Sequence, residues 1–168
     1  ERRNLADVRR GEYEGIKADI ETNPDRHPDF GPAKMHVRAG AVVVGARPPL
    51  VAFNVNLTCD NLKAAKAIAK AVRESSGGLP AVKALGLMIE AKNQAQISMN
   101  LVDFNITGVH TVFEAIKVEA EKHGVKIAGS EIIGLLPAKA LFDVAEHYLA
   151  LQDFTPSQVL EIKLGAPK

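Results

Sequence analysis

Two segments of the sequence place carboxamide or hydroxyl side chains at every second residue. Asn54 and Asn56 alternate with apolar residues in the first segment, and Gln96, Ser98 and Asn100 do so in the second. This period of two indicates strands that are buried on one face only. Carboxamides offer paired donors and acceptors that suit planar heteroaromatic ligands, so the polar face is a candidate ligand site. A solvated sheet face, or one packed on another subunit, is the alternative.

Cationic side chains recur every three or four residues along a segment with helical periodicity. The four residues are Lys63, Lys66, Lys70 and Arg73. Residues at this spacing share one side of a helix, where they could receive carboxylates or phosphates. A solvated helix surface has the same pattern, so the stripe has two interpretations. Arg73 differs from the lysines because it ends the helix beside a glycine-rich turn and its fork of donors suits planar acceptors.

Residues 34–40 form a third candidate, because Lys34, His36 and Arg38 lie close to Gly40. Glycine lets a backbone approach a ligand closely, and histidine can change its charge near neutral pH. An ordinary loop before a strand would also account for the segment.

Composition and motif spacing exclude several classes of protein. The 168 residues include 21 Lys and Arg against 20 Asp and Glu, and this balance argues against a generally basic nucleic-acid binder. Cys59 is the single cysteine and the five histidines form no HxH or HExxH motif, so we expect neither a disulfide framework nor a metal site. No apolar run approaches the roughly 18 residues of a membrane helix, which predicts a soluble, cytoplasmic protein without a membrane partner.

Hydrophobic periodicity predicts the elements that must position these side chains. Strands are expected at residues 50–57, 82–90, 95–104 and 125–133. One intervening helix would be capped by Asp60, and the other would open at Thr107. The resulting order, strand–helix–strand–strand–helix–strand, predicts a ferredoxin-like α/β (α+β) fold with one antiparallel sheet and both helices on one face.

Further helices are expected after this sheet. Pro137 should lie in the first turn of a third helix, and residues 156–163 should add a short terminal helix. The side chains of the third helix expected to face inward are Ala140, Leu141, Val144 and Tyr148.

The first fifty residues have a different character. Residues 1–22 have helix-compatible spacing, and residues 23–32 contain three prolines, which predicts a connector without regular structure. Residues 40–46 form a short apolar run, which predicts a buried strand. Because the chain opens on Glu1 and not on an initiator Met, we expect a piece of a longer protein.

Several longer strings of residues resemble the glutamate formiminotransferase (glutamate formimidoyltransferase) family in the same order along the chain. They are Asp-Phe-Gly-Pro at 29–32, Gly-Ala-Arg-Pro at 45–48, residues 50–57, Leu-Val-Asp-Phe at 101–104 and residues 129–137. The resemblance covers nearly the whole chain. It implies transfer of the formimino group from N-formimino-L-glutamate to tetrahydrofolate in histidine degradation, with tetrahydrofolate as co-substrate and no metal.

The resemblance also implies a domain organisation. In this family the sheets of two α/β subdomains face each other across a tunnel that holds folate, so Asn54, Asn56, Gln96, Ser98 and Asn100 would line the tunnel wall. Residues 1–51 would be the tail of the N-terminal subdomain (helix, proline-rich connector and strand), and residues 52–168 the C-terminal subdomain. The expected partners are the missing part of the N-terminal subdomain, on this or a separate chain, and further copies in a homo-oligomer. Nucleic acid is not expected.

The folate contacts of the family carry over to one loop and one helix end. They fall on Ala33, Lys34, Met35, His36, Val37, Arg38, Ala39, Gly40, Ala41 and Val42, and on Arg73. Val37 stands where many relatives would have proline. The family's catalytic histidine lies upstream of Glu1 and no histidine here matches it, so the chain alone should be inactive. A non-catalytic ferredoxin-like ligand-binding or assembly domain and one polypeptide of a split transferase are the alternatives.

Overall fold

The computed structural model describes residues 2 and 4–165, and the chain divides into two compact units, Glu1–Arg47 and Pro48–Lys168. The first unit contains two short helices, α1 (Leu5–Val8) and α2 (Glu12–Asp19), and a 3₁₀ turn at Pro24–Arg26. The Arg26 guanidinium donates to the carbonyl oxygens of Val8 at 3.1 Å and Arg10 at 3.0 Å. The Val8 carbonyl belongs to the last residue of α1 and the Arg10 carbonyl follows the helix, and both would otherwise need water. Arg26 therefore ties the proline-rich connector to the helices.

The strand expected at residues 40–46 is not formed. Residues 41–50 have no regular secondary structure, and Val42, Val43 and Val44 are 82%, 51% and 91% exposed. A strand requires a neighbour that pairs with its backbone N–H and C=O groups, and the described part of this unit contains no strand. The apolar run was therefore misread as a buried element.

A four-stranded antiparallel sheet forms the framework of the second unit. Its strands are β1 (Val51–Leu57), β2 (Val82–Ile89), β3 (Gln94–Leu101) and β4 (Ile127–Ile133), in the spatial order β2-β3-β1-β4. Helix α3 (Leu62–Val72) connects β1 to β2, and α4 (Val109–Lys122) connects β3 to β4. The predicted ferredoxin-like α+β order is confirmed.

Both connecting helices cover the same sheet face. β1 buries Val51, Phe53, Val55 and Leu57, while β3 buries Ala95, Ile97, Met99 and Leu101. The α3 and α4 side chains in the same core cluster include Ala65, Ile68, Val72, Val112 and Ile116. Alternate side chains of a strand point to opposite faces, so the polar residues between these apolar ones lie on the uncovered face.

Local details correct four expectations about helices. The cap of α3 is Asn61, whose side-chain oxygen accepts from the Ala64 amide at 3.0 Å, and not Asp60. The third helix of the sequence prediction is α5 (Ala138–Leu149), where Pro137 is the cap residue and not a first-turn residue. Its Ala140 is buried, whereas Leu141 and Tyr148 are 45% and 49% exposed, because α4 covers that side of the helix only in part. A 3₁₀ turn and α6 (Leu160–Gly165) follow in place of one terminal helix.

Candidate functional site

The strand register places the polar side chains of three strands in rows on the uncovered sheet face. Asn54 of β1 pairs with Ser98 of β3 on one side and with Glu131 of β4 on the other. Ala52, the next residue of β1 on this face, pairs with Asn100. Residues opposite each other in an antiparallel pair project to the same side, so these side chains are neighbours on one surface.

A second row brings the predicted carboxamides into direct contact. Asn56 pairs with Gln96 of β3 and with Gly129 of β4. The Gln96 Nε2 donates to Asn56 Oδ1 at 2.7 Å and to Glu131 Oε1 at 2.9 Å. Gln96 reaches across β1 to Glu131, and Gly129 presents no side chain in its own row. Both amide hydrogens of Gln96 are used, which fixes the plane of its carboxamide.

Glu131 joins this network and was missed by sequence reasoning. Its Oε1 also accepts from Asn54 Nδ2 at 3.3 Å, so one carboxylate oxygen holds two carboxamides. The β4 sequence Ile-Ala-Gly-Ser-Glu-Ile-Ile does not alternate regularly, and periodicity therefore did not reveal its faces. The ferredoxin-like strand order would have placed β4 beside β1, and this was the signal that could have found Glu131.

The rest of the uncovered face combines free polar groups with an apolar edge. The side chains of Ser98 and Asn100 make no hydrogen bond with any residue that the structure describes. Leu85 and Leu87 of β2 pair with Ser98 and Gln96, and Leu85 is 65% exposed. Apolar walls with a few fixed polar groups are typical of sites for planar organic ligands.

Arg73 lies at the end of α3, and α3 packs on the opposite sheet face from the carboxamides. Its Nε donates to Ser76 Oγ at 2.7 Å, and its carbonyl oxygen accepts from the Gly78 amide at 3.0 Å. A Cβ at Gly78 would lie 2.5 Å from the Ala71 oxygen, so only glycine lets this turn close on the helix. No contact among the described residues joins Arg73 to the carboxamide network. Its companions Lys63, Lys66 and Lys70 are exposed.

The stretch that the resemblance assigned to folate, residues 33–42, belongs to the first unit. His36 Nδ1 accepts from the backbone amides of Arg38 at 3.3 Å and Ala39 at 2.9 Å, so its ring shapes the loop. Gly40 closes this turn at a φ of 68°. Ala41 and Val42 line a cavity of about 770 Å³ in this unit.

Arg2 also lines this cavity, and neither its residue type nor its spacing in the sequence indicates this position. Its guanidinium donates to Asp29 Oδ2 at 3.2 Å and to the His27 carbonyl at 2.6 Å. Arg2 thereby fixes the connector beside the cavity.

A smaller cavity of about 310 Å³ lies between β4, α4 and α5 of the second unit. His110 lines this cavity, and its ring stacks on that of His147 with centroids 4.5 Å apart. Burial and the nearby His147 charge lower the pKa of His110, while Asp143 acts in the opposite direction. Tyr148 donates to Glu114 Oε1 at 2.5 Å, and burial together with this bond raises the pKa of Tyr148 to about 12.

Neither a metal centre nor a membrane span is found in residues 2 and 4–165. No group of three or more His, Cys, Asp and Glu side chains in this range could hold a metal ion. None of the helices described there is long and apolar enough to cross a membrane.

Comparisons with known proteins match the two units separately. The family model described as "Formiminotransferase domain" matches residues 52–164. The model described as "Formiminotransferase domain, N-terminal subdomain" matches residues 1–47.

Individual relatives agree with these matches. The chain is 51% identical over 162 residues to a "Glutamate formimidoyltransferase" of Streptococcus pyogenes serotype M1, covering 96% of this chain and 54% of the relative. It is 42% identical to a protein of the same description from Thermoplasma acidophilum, covering 98% of this chain and 54% of that protein. A "Formimidoyltransferase-cyclodeaminase" of Mus musculus is 40% identical over 88% of this chain and 28% of its own length. The chain thus spans about half the length of the two formimidoyltransferases, and it belongs to the formiminotransferase domain family.

Proposed function

We propose that this chain supplies the folate-binding part of a glutamate formimidoyltransferase, which transfers the formimino group from N-formimino-L-glutamate to tetrahydrofolate. One observation carries this proposal: both parts of the formiminotransferase domain match in order, at residues 1–47 and 52–164. The relative with 51% identity, named "Glutamate formimidoyltransferase", supports the same reaction.

In this proposal the uncovered sheet face forms one wall of the folate site. The pterin ring of tetrahydrofolate is planar and carries both donors and acceptors, which complement fixed carboxamides. Gln96 is 5% exposed and bonded to Asn56 and Glu131, so it is already oriented before a ligand arrives. A preorganised surface of this kind loses less conformational entropy on binding.

Two further groups are assigned to folate binding in this proposal, each within its own unit. The first unit offers the loop at residues 33–42, and the second offers the Arg73 guanidinium, whose terminal nitrogens have no hydrogen-bond partner among the described residues. A carboxylate or the pterin carbonyl suits this guanidinium, because both are planar acceptors. We assign residues 1–51 to the tail of the N-terminal subdomain and residues 52–168 to the C-terminal subdomain.

The chemical step needs residues beyond this chain. Folate N5 attacks the formimino carbon and forms the new C–N bond, and the bond from that carbon to the glutamate nitrogen then breaks. The N5 proton ends on the departing nitrogen, and an acid–base histidine from the upstream part would carry it. This chain contributes positioning, because holding N5 against the formimino carbon makes the reaction effectively unimolecular.

The proposal is tested by calorimetric titration with the stable 5-formyl derivative of tetrahydrofolate. We expect saturable binding to the chain, and about tenfold or greater weakening in Gln96→Leu, which removes two hydrogen bonds from the face. Gln152→Leu changes an exposed carboxamide away from the sheet and should bind as the unmodified chain does.

Transfer activity distinguishes the remaining alternatives. Mixing the chain with the upstream subdomain of the Streptococcus pyogenes relative should give formimino transfer, whereas the chain alone should give none. A chain that binds no reduced folate would instead be a non-catalytic domain on the same scaffold.

A further inference from the structure

One oxygen of the Glu131 carboxylate accepts no hydrogen bond within the network of the uncovered face. Oε1 accepts from both Asn54 and Gln96, and Oε2 accepts from no residue that the structure describes. An ionised carboxylate has about four acceptor positions, so two remain on Oε2. The network therefore holds the carboxylate in place without using its full capacity.

The surroundings of Glu131 Oε2 favour a ligand that donates a hydrogen bond to it. The register gives the strand residues on this face, and Glu131 is the one acidic residue among them. Its side chain is half-buried, which favours direct partners over water. Charge-assisted hydrogen bonds are roughly twice as strong as neutral ones, so a donor-bearing ligand gains most from meeting this group.

The uncovered face limits which donors would suit Oε2. Flat carboxamides and the apolar side chains of Leu85 and Leu87 favour a planar ring. An aminopyrimidinone ring presents an exocyclic amino group beside a ring N–H, and the amino group of this edge can donate to Oε2. The pterin of a reduced folate has this edge.

We propose that Glu131 binds the aminopyrimidinone edge of the folate through Oε2, while Oε1 fixes Asn54 and Gln96. This inference rests on the proposed folate function and adds a specificity residue to it. Glu131 thus recognises the 2-amino group of the pterin by accepting a hydrogen bond from it, and a ligand without that group loses a charge-assisted hydrogen bond.

The substitution Glu131→Gln separates the two oxygens. Its amide oxygen can replace Oε1 and continue to accept from Asn54 and Gln96, which keeps the network intact. Its NH₂ group then replaces Oε2 and faces the donors of the ligand, where no hydrogen bond can form. We expect binding of the 5-formyl derivative of tetrahydrofolate to weaken about 10- to 100-fold.

The decisive experiment compares this ligand with its analogue lacking the 2-amino group, by calorimetry on the unmodified chain and on Glu131→Gln. The unmodified chain should prefer the 2-amino ligand about tenfold or more, and Glu131→Gln should lose this preference. Glu121→Gln, an exposed glutamate at the end of α4, should behave as the unmodified chain does. Thermal unfolding of each variant verifies that the fold is intact.

The outcomes distinguish the inference from the proposed function. Equal affinity of the unmodified chain for both ligands overturns the role of Glu131 without reference to any variant. A preference that persists in Glu131→Gln overturns it as well, while folate binding stands. If the unmodified chain binds neither ligand, the proposed function fails and the inference fails with it.

Discussion

Replacing Gly86 by alanine should destabilise the second unit, because β2 and α3 touch backbone to backbone at this residue. A Cβ at Gly86 would lie 2.3 Å from the Lys66 nitrogen and 2.4 Å from the Ala65 carbonyl carbon, whereas ordinary contacts are 3.4–4 Å. Helix α3 would have to move away from the sheet by about 1 Å. Overpacking of this kind costs about 1–3 kcal/mol. Removing glycine from the unfolded chain offsets up to about 1 kcal/mol of that loss.

The net expectation for Gly86→Ala is a loss of about 2 kcal/mol, which lowers Tm by about 5–10 °C in a domain of this size. Differential scanning calorimetry measures this change in Tm. The matched control is Gly129→Ala in β4, where nothing lies within 4 Å of the added Cβ, so its Tm should stay unchanged or rise by up to about 5 °C. Equal Tm values for the two variants would refute the close approach of α3 to β2.

Three further predictions concern a buried hydroxyl, a histidine and the candidate arginine. Thr107 is 2% exposed and its Oγ1 donates to the Pro80 carbonyl at 2.6 Å, so Thr107→Val should lose about 1–2 kcal/mol in urea unfolding. Burial and the His147 charge lower the pKa of His110 below 6.5. The folded protein therefore binds this proton less readily than the unfolded chain does. The stability that His110 contributes is complete above pH 6.5 and is lost as the pH falls through the lowered pKa of the folded state. His110→Gln should therefore reduce the difference in unfolding free energy between about pH 7.5 and about pH 5.5. Arg73→Ala should weaken reduced-folate binding about tenfold in a titration.

Each of these predictions has an outcome that would contradict it. Thr111→Val alters an exposed threonine of α4 and serves as the control. If it lowered the free energy of unfolding as much as Thr107→Val does, the hydrogen bond to Pro80 would not be the cause of the loss. An unchanged pH dependence in His110→Gln would mean that His110 takes up its proton equally in both states. Lys70→Ala removes the same charge one turn earlier, so equal weakening would show general electrostatic attraction and not a specific guanidinium contact.

The architecture of the second unit could be predicted because its strands are buried on one face. Strict alternation in β1 and β3 fixed which side chains point away from the helices, and the turn residues separated the elements. The placement of Asn54, Asn56 and Gln96 on the uncovered face was predicted in this way. The run at residues 40–46 shows where the same reasoning fails, because a strand depends on a partner that a local pattern does not reveal.

The remaining features depend on contacts between distant residues. Glu131 reaches Gln96 and Asn54 only through the register of three strands, and nothing in the local sequence of β4 indicates it. The approach of α3 to Gly86 likewise arises from tertiary packing. Asp60 and Asn61 are both suitable caps by residue type, and only the backbone geometry selects Asn61.

The central claim is that the uncovered carboxamide face binds a reduced folate. Nuclear magnetic resonance tests it most directly, by following the side-chain amide signals of Asn54, Asn56 and Gln96 while the 5-formyl derivative of tetrahydrofolate is added. We expect saturable shifts of these signals, with the exposed amide of Gln152 unaffected. Saturable binding that leaves all three signals unmoved would contradict it.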